Sequence, residues 1–318
     1  MVRAATRENI ADAAALLRAG ELVAFPTETV YGLGANALDV HAVAKIFEAK
    51  SRPTFDPLIV HIADELMLLR VACDIPDLAR RSMRAFWPGP LTLVLPKTHH
   101  VPDLVTAGLS TVAVRMPAHP VAHALVTLAA TPIAAPSANR FGALSPTTAH
   151  HVMASLDTHV SCILDDGPTL CGIESTILAF LPKPTILRHG AIPREDLESV
   201  LDCTIDEQVV ATQHPIVPGQ LAQHYAPRIP LWIIEPSTVA LADRSNRAQL
   251  AFMGGVDGYA ATRVLSAKGD LREAATQIFA HLHELELLHV DQIDAQPVPT
   301  HGIGAAIMDR LVRAATKE

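Results

Sequence analysis

Short apolar runs of four to six residues, set between stretches of helical periodicity, limit this chain to a layered α/β architecture. Residues 21–25, 58–62, 91–95 and 111–115 read as strands, and shorter ones follow at 133–135, 161–164, 176–180 and 185–187. Between them, Thr6 is placed to cap a helix that runs to Leu17 or Ala19 and stops at Gly20. A second helix starts near Asp39 and puts Val40, Val43, Ile46 and Phe47 on one apolar face. Further helical patterns lie around 76–86, 120–130 and 147–156. Strand order does not follow from such a pattern, and the sheet need not be fully parallel.

A length of 318 residues predicts about two domains. Residues 206–229 have weak periodicity and contain Pro215, Pro218, Gly219 and Pro227, so they read as a connection. Beyond it, strands at 231–234, around 250–252 and at 287–290 join helices at 275–285 and 305–315 in a smaller α/β domain. The predicted division is 1–205, a linker at 206–230, and 231–318.

Charge narrows the function classes. Twenty-five basic residues face 33 acidic ones, a formal net charge of -8. Sixteen basic and twenty acidic residues precede position 206, and nine and thirteen follow it, so both halves carry the same excess. Neither is a basic nucleic-acid domain by bulk charge, although a local basic pocket is compatible with it. Cys73, Cys162, Cys171 and Cys203 form no CxxC pair and read as thiols of a reducing compartment. No apolar run approaches ~18 residues, and the expectation is a cytoplasmic protein.

Chemistry concentrates in a few segments. In Phe25-Pro26-Thr27-Glu28-Thr29-Val30-Tyr31-Gly32-Leu33-Gly34, proline ends a strand and two glycines permit close backbone approach. The segment is either an anion cradle or a structural turn; the spacing of a Walker loop is absent. Lys50-Ser51-Arg52-Pro53 puts two cations at a helix end, aimed into a cleft or solvated by the helix dipole's negative end. His61 and Arg115 each close an apolar strand, where they meet either a substrate or their structural neighbours. Ala135-Pro136-Ser137-Ala138-Asn139 follows another strand, with Ser137 and Asn139 as caps or ligand contacts. Gly172-Ile173-Glu174-Ser175-Thr176 adds hydroxyls, and Arg188-His189-Gly190 another cation. Together these supply cations and hydroxyls for a polyanion, with no hydrolytic triad or metal-ligand cluster in the pattern.

Taken in order, residues 25–34, 50–53, 57–62, 111–117, 135–139, 172–177 and 185–190 resemble the Sua5/YciO/YrdC family, and His224-Tyr225-Ala226-Pro227 extends the likeness to its two-domain Sua5-type members. The resemblance implies a twisted mixed sheet with helices around a concave positive cleft, followed by a smaller Rossmann-like α/β domain. It implies a nucleotidyltransferase that condenses L-threonine, bicarbonate or CO2, and ATP with Mg2+ into threonylcarbamoyl-adenylate and pyrophosphate. A separate transferase complex would use that product at tRNA position 37, with tRNA contact indirect and no organic cofactor or protein-held metal expected. By matching positions, Lys50 and Arg52 are implied as phosphate clamps. Thr27, His61, Arg115, Ser137 and Thr176 are implied for threonine or carbamate, and Thr111, Asn139, Ser175, Arg188 and Tyr225 for ATP. The linker departs from the family pattern: Gln220-Leu221-Ala222-Gln223 stands where a methionine and basic residues are usual, which implies a lid of weaker charge. The competing readings are an RNA-binding module with the same concave surface and a carbamoyl transferase; threonine dependence separates them.

Overall fold

The computed structural model describes residues 1–156, 159–180, 182–209, 215–221 and 224–315. Ala222 and Gln223 of the atypical linker stretch lie outside the described residues. Within them, eleven strands form a first, mixed sheet: β1 (Val2–Ala4), β2 (Val23–Phe25), β3 (Gly32–Asn36), β4 (Ile59–His61), β5 (Leu91–Pro96), β6 (Thr111–Arg115), β7 (Ile133–Ala134), β8 (Cys162–Asp165), β9 (Thr176–Ala179), β10 (Thr185–Arg188) and β11 (Asp206–Glu207). Their order is β1-β8-β2-β3-β7-β4-β6-β5-β9-β10-β11. A second sheet, all parallel, has the order β12-β15-β13-β14, with β12 (Leu231–Ile233), β13 (Arg247–Ala251), β14 (Ala261–Val264) and β15 (Gln292–Ala295).

The helices that cover the first sheet are α1 (Arg7–Arg18), α2 (Val40–Lys50), α3 (Glu65–Val71), α4 (Asp77–Phe86), α5 (Asp103–Thr106), α6 (Pro120–Ala129), α7 (Ala149–Leu156) and α8 (Arg194–Leu201). Two more, α9 (Leu271–Leu285) and α10 (Gly304–Ala314), belong with the second sheet. No described helix is long and apolar enough to cross a membrane.

Helix α2 shows how the sequence sets up the site. The Asp39 carboxylate caps it by accepting from the His41 and Ala42 amides at 2.9 and 3.3 Å. Val43, Ile46, Phe47 and Lys50 follow at helical spacing and are all buried, so a lysine occupies the last position of a core-facing stripe. Val40, expected on that face, is 45% exposed, because the stripe rotates toward Ala42 and Lys50. Ser51 then turns the chain in the left-handed region (φ 51°) and ends the helix.

Strand pairing brings the candidate residues to one edge. Strands β4 and β6 are parallel with His61 opposite Arg115, each the last residue of its strand. Strand β3 was read as part of a turn, yet it pairs antiparallel with β2 over Gly32–Asn36. Glycine is needed there for packing: a Cβ on Gly34 would lie 2.8 Å from the Phe25 ring and 2.9 Å from the Ile133 Cγ2. The strand expected at 287–290 is also corrected. Leu287 is 73% exposed, and the strand is Gln292–Ala295, whose buried Asp294 takes a 2.9 Å bond from the Tyr259 hydroxyl. Polar residues inside a buried strand hid it from an apolar pattern.

The second core does not stop at the second sheet. Val30, Leu144, Ile173 and Tyr225 join Phe279, Ile307 and their neighbours in one apolar cluster. The loop before β9 is pressed against α9, where a Cβ on Gly172 (φ 72°) would come 2.4 Å from the Thr276 Cα. The second sheet and its helices are thus fastened to the first by packing rather than tethered by the linker alone.

Gly34→Ala is expected to lower the unfolding free energy by about 1–3 kcal/mol, the usual cost of overpacking. Urea unfolding of the full chain checks this, and an unchanged midpoint and slope would contradict the close-approach account of β3.

Candidate active site

A pocket opens at the ends of β4, β6 and β10 and is roofed by the linker. Its lining includes Thr27, Thr29, Gly32, Arg52, His61, Arg115, Ser137, Glu174, Ser175, Arg188, Gly219, His224 and Tyr225. The cavity volume is about 50 Å³. A water takes roughly 10–15 Å³ by the same measure, so the closed pocket holds on the order of four waters. Anything larger enters only when the roof moves.

Three arginines reach this small space, and each is held differently. Arg115 lies with Nη2 2.7 Å from Glu28 Oε1, and its Nη1 donates to the Thr29 hydroxyl at 2.8 Å. Its Nε donates to the Gly89 carbonyl at 3.2 Å. Burial alone would raise the Glu28 carboxyl, but the Arg115 charge and the Ala118 amide hold it below its ordinary value. Arg52 Nη2 lies 2.9 Å from Asp56 Oδ2, with both side chains buried, and its other donors reach the carbonyls of Asp56 and Pro57. Burial pushes the Asp56 pKa up against the pull of Arg52, Lys50 and Arg188.

Arg188 differs. It donates to the Ser175 carbonyl at 3.1 and 2.9 Å, to the Ser175 hydroxyl at 3.1 Å and to the Pro218 carbonyl at 3.2 Å. Only 4% exposed, it forms no ion pair with any described residue. Neutral acceptors solvate its charge without cancelling it, and burial lowers its pKa accordingly. An anion beside Arg188 would remove that cost.

The histidines stay neutral. His61 and His224 line the pocket, are buried, and have pKa values pushed down to about 3, first by burial and for His61 next by the Arg115 charge. Their Nδ1 atoms have no hydrogen-bond partner among the described residues. A histidine so depressed is a hydrogen-bonding group rather than a base at neutral pH. Glu174 accepts from the Ser145 hydroxyl and from Arg310 Nε at 2.8 Å. Burial would raise it, but Arg310, Arg188 and Ser145 keep its carboxyl below the usual range.

Of the residues singled out in the sequence, Thr27, Arg52, His61, Arg115, Ser137, Ser175, Arg188 and Tyr225 meet in the lining. The Thr27 hydroxyl donates to the Val30 carbonyl at 2.7 Å and accepts from the Thr29 amide at 3.1 Å, so it builds the turn that carries Thr29 to Arg115. Lys50, Thr111, Asn139 and Thr176 lie outside the lining. Lys50 Nζ donates to the carbonyls of Ser137 and Asn139, and burial followed by the Arg52 charge sets its pKa well below the ordinary value. Asn139 bonds the Arg140 and Ala143 carbonyls at 2.9 and 2.8 Å. The Thr176 hydroxyl closes the loop to Ile192 at 2.6 Å, and half-buried Thr111 starts β6 opposite Pro96. Thr29, Glu174 and His224 were not among the assigned residues; each stood inside a quoted segment, and only the fold turns them inward.

Comparisons with known proteins place the chain in a family. The family model Sua5_yciO_yrdC, described as "Telomere recombination", matches residues 15–190, and "Threonylcarbamoyl-AMP synthase, C-terminal domain" matches residues 192–316. The chain is 45% identical over 321 residues to the threonylcarbamoyl-AMP synthase of Bacillus subtilis, covering 96% of this chain and 93% of that one. It is 43% identical over 314 residues to the threonylcarbamoyl-AMP synthase of Pyrococcus abyssi, covering 95% and 92%. The crystal structure of P. abyssi Sua5 complexed with L-threonine superposes with a TM-score of 0.93 at 40% identity, over 99% of this chain and 96% of that one.

The buried histidines give a pH dependence. His61, His151 and His224 have folded pKa values of about 3 against an ordinary 6.5. Below pH 6.5 the unfolded chain takes up protons that the folded one refuses, so stability falls as pH drops from 6.5 toward 3. Glu28 and Glu174, held below their ordinary values, add to the loss only below about 4.5, whereas Asp56, pushed up by burial, opposes it there. Urea unfolding between pH 7 and 5 should show this decline, and His61→Gln should make it shallower. An identical slope in that variant would contradict a buried neutral His61.

Proposed function

The chain belongs to the Sua5/YciO/YrdC family, in its two-domain form, and from that premise we propose how its pocket works. It is an enzyme that makes threonylcarbamoyl-AMP from L-threonine, bicarbonate and ATP, for tRNA modification. The observation that carries the assignment of ends is the unpaired guanidinium of Arg188, set under the roof across from the Arg115 and His61 pair.

At the strand-end side, Arg115 takes the threonine carboxylate, a planar fork matched to two oxygens. The amine lies near neutral His61 and Ser137. Bicarbonate supplies CO2 by losing water; the free amine attacks it, the N–C bond forming as a C=O electron pair moves to oxygen, and the nitrogen's proton passes to water to give the carbamate. A carbamate oxygen then attacks the α-phosphorus while the bond to the β-phosphate oxygen breaks, and pyrophosphate leaves with the electron pair. Arg188 and Arg52 face the phosphates and offset the charge that accumulates on their oxygens. Arg52 contributes by turning partly from Asp56, a contact not aligned as a hydrogen bond at Asp56 Oδ2. Ser175 and Tyr225 bound the nucleoside.

Lys50, Asn139 and Thr176 serve by holding walls: Lys50 fixes the Ser137 loop through two carbonyls. Thr27 shapes the turn, and we assign Thr111 no substrate contact. Roof closure over both substrates expels water and keeps the reacting groups together. Among the described residues, no group of three or more His, Cys, Asp or Glu side chains could hold a metal ion. We assign Mg2+ to the incoming ATP, whose phosphates bind it. A cytoplasmic location, the division at 205 and 231, and delivery of the adenylate to a separate transferase acting at tRNA position 37 complete the reading.

The test is incubation of the full chain with ATP, Mg2+, bicarbonate and isotopically labelled threonine, with mass spectrometry for labelled adenylate. The product should require all three substrates; ATP consumption indifferent to threonine would contradict the reading. Removing both charges of the floor pair with Glu28→Gln/Arg115→Met avoids an orphaned buried carboxylate. Its threonine KM should rise about 100-fold, on the scale of a lost charge-assisted contact, with a much smaller change in the ATP KM. Equal rises in both would move the threonine site elsewhere.

A further inference from the structure

The last helix reaches out of its own domain. Arg310 of α10 is wholly buried, donates from Nε to Glu174 at 2.8 Å and from Nη2 to the His189 carbonyl at 2.9 Å, and lies over the Tyr225 ring at 5.1 Å. Its Nη1 is 2.7 Å from Asp309. One turn on, Arg313 donates to the Leu221 carbonyl at 2.7 Å, and its own carbonyl accepts from the His224 amide at 3.2 Å. The partners on the far side are parts of the pocket or adjoin it: Glu174 is in its wall, His189 follows Arg188, His224 and Tyr225 are in the roof, and Leu221 follows Gly219 of the roof by two residues.

The roof does not hold its shape unaided. Tyr225 has φ 64°, a left-handed conformation that a bulky residue enters only when its surroundings impose it. Gly219, at φ 88°, is crowded by the same residue: a Cβ there would lie 2.8 Å from the Tyr225 hydroxyl and 3.1 Å from Arg188 Cδ. The constraint comes from outside. The face of the Arg310 guanidinium packs on the Tyr225 ring while its edge engages Glu174 and the His189 carbonyl, a combination of planar fork and flat face that lysine lacks.

We propose that Arg310 is a positioning residue for the adenylation site, through which α10 of the second domain latches the roof and the Glu174 wall in their closed arrangement. It touches no reacting atom. A nucleotide needs more room than the closed pocket has, so the roof opens and closes in each turnover, and Arg310 sets the balance between the two states. The proposal rests on the synthase reading for its effect on turnover, but not for its effect on the roof.

Hydrogen exchange of the ligand-free full chain separates these. Arg310→Lys keeps a charge for Glu174 and loses the fork and the flat face. Glu174→Gln/Arg310→Met removes both charges together, so one of the two folds even if an orphaned carboxylate unfolds the other. Peptides within 215–230 should exchange about tenfold faster in either variant, while those of α1 and α9 keep their protection. In Arg310→Lys the ATP KM should rise by a similar factor, with the threonine KM nearly unchanged. Unaltered exchange at 215–230 would overturn the proposal, and so would a uniform rise across both domains, which marks a merely structural residue. Faster roof exchange in a protein that makes no labelled adenylate would leave the latch standing and remove the synthase reading.

Discussion

Three guanidinium groups share a cavity that holds only a few waters, and the way each charge is met organises the rest of the molecule. Arg115 is answered by Glu28 and Arg52 by Asp56, both across buried contacts. Among the described residues Arg188 is bonded by carbonyls and a hydroxyl, with no carboxylate in ion-pair contact. Two of the three sites are therefore neutral before substrate arrives, and the third is a standing demand for an anion. A pocket with three unpaired cations would be costly to fold, whereas one unpaired cation at a defined place leaves the fold stable and the binding directional.

The surrounding architecture serves that arrangement. Parallel pairing of β4 with β6 sets His61 beside Arg115, and the antiparallel step to β10 brings Arg188 alongside β9 and Ser175. The Thr27 to Thr29 turn supplies the hydroxyl that steadies Arg115, and Lys50 ties the opposing loop by its carbonyls. Over the top, Pro218, Gly219 and Tyr225 lean on Arg188. The second domain packs against the same wall, so its distance in sequence conceals its nearness to the chemistry.

Much of this was legible before any coordinates, and the failures are instructive. Caps and stripes read correctly because they depend on neighbours a few residues away: Thr6, Asp39 and the 43, 46, 47 spacing all appear as expected. The segments that reach the pocket are distinctive as an ordered set, but of the twelve residues assigned from them Lys50, Thr111, Asn139 and Thr176 lie outside the lining. The roles were not legible. Lys50 reads as a clamp from its charge, but its place on the stripe of Val43, Ile46 and Phe47 buries it, and only the loop packed against α2 shows what it bonds. The Thr176 hydroxyl and the Asn139 Nδ2 are likewise bonded to loops brought to them by tertiary structure. Strand 292–295 was hidden because Asp294 finds its partner, Tyr259, in another element. Arg310 was invisible for the same reason, since nothing local to α10 says that it faces Glu174 and Tyr225.

Titration calorimetry of pyrophosphate into the full chain, wild type against Arg188→Met, bears most directly on the unpaired cation. Among the described residues Arg188 has no carboxylate ion-pair partner to orphan, so the variant loses only the bonds to Ser175 and Pro218 and should still fold, with a modest loss of stability that its urea midpoint checks. The account predicts that pyrophosphate affinity falls by about 10–100-fold, the range of a lost charged hydrogen-bonding partner. Equal affinity in the two proteins would show that the phosphates bind elsewhere, and the reading of the pocket would fail with it.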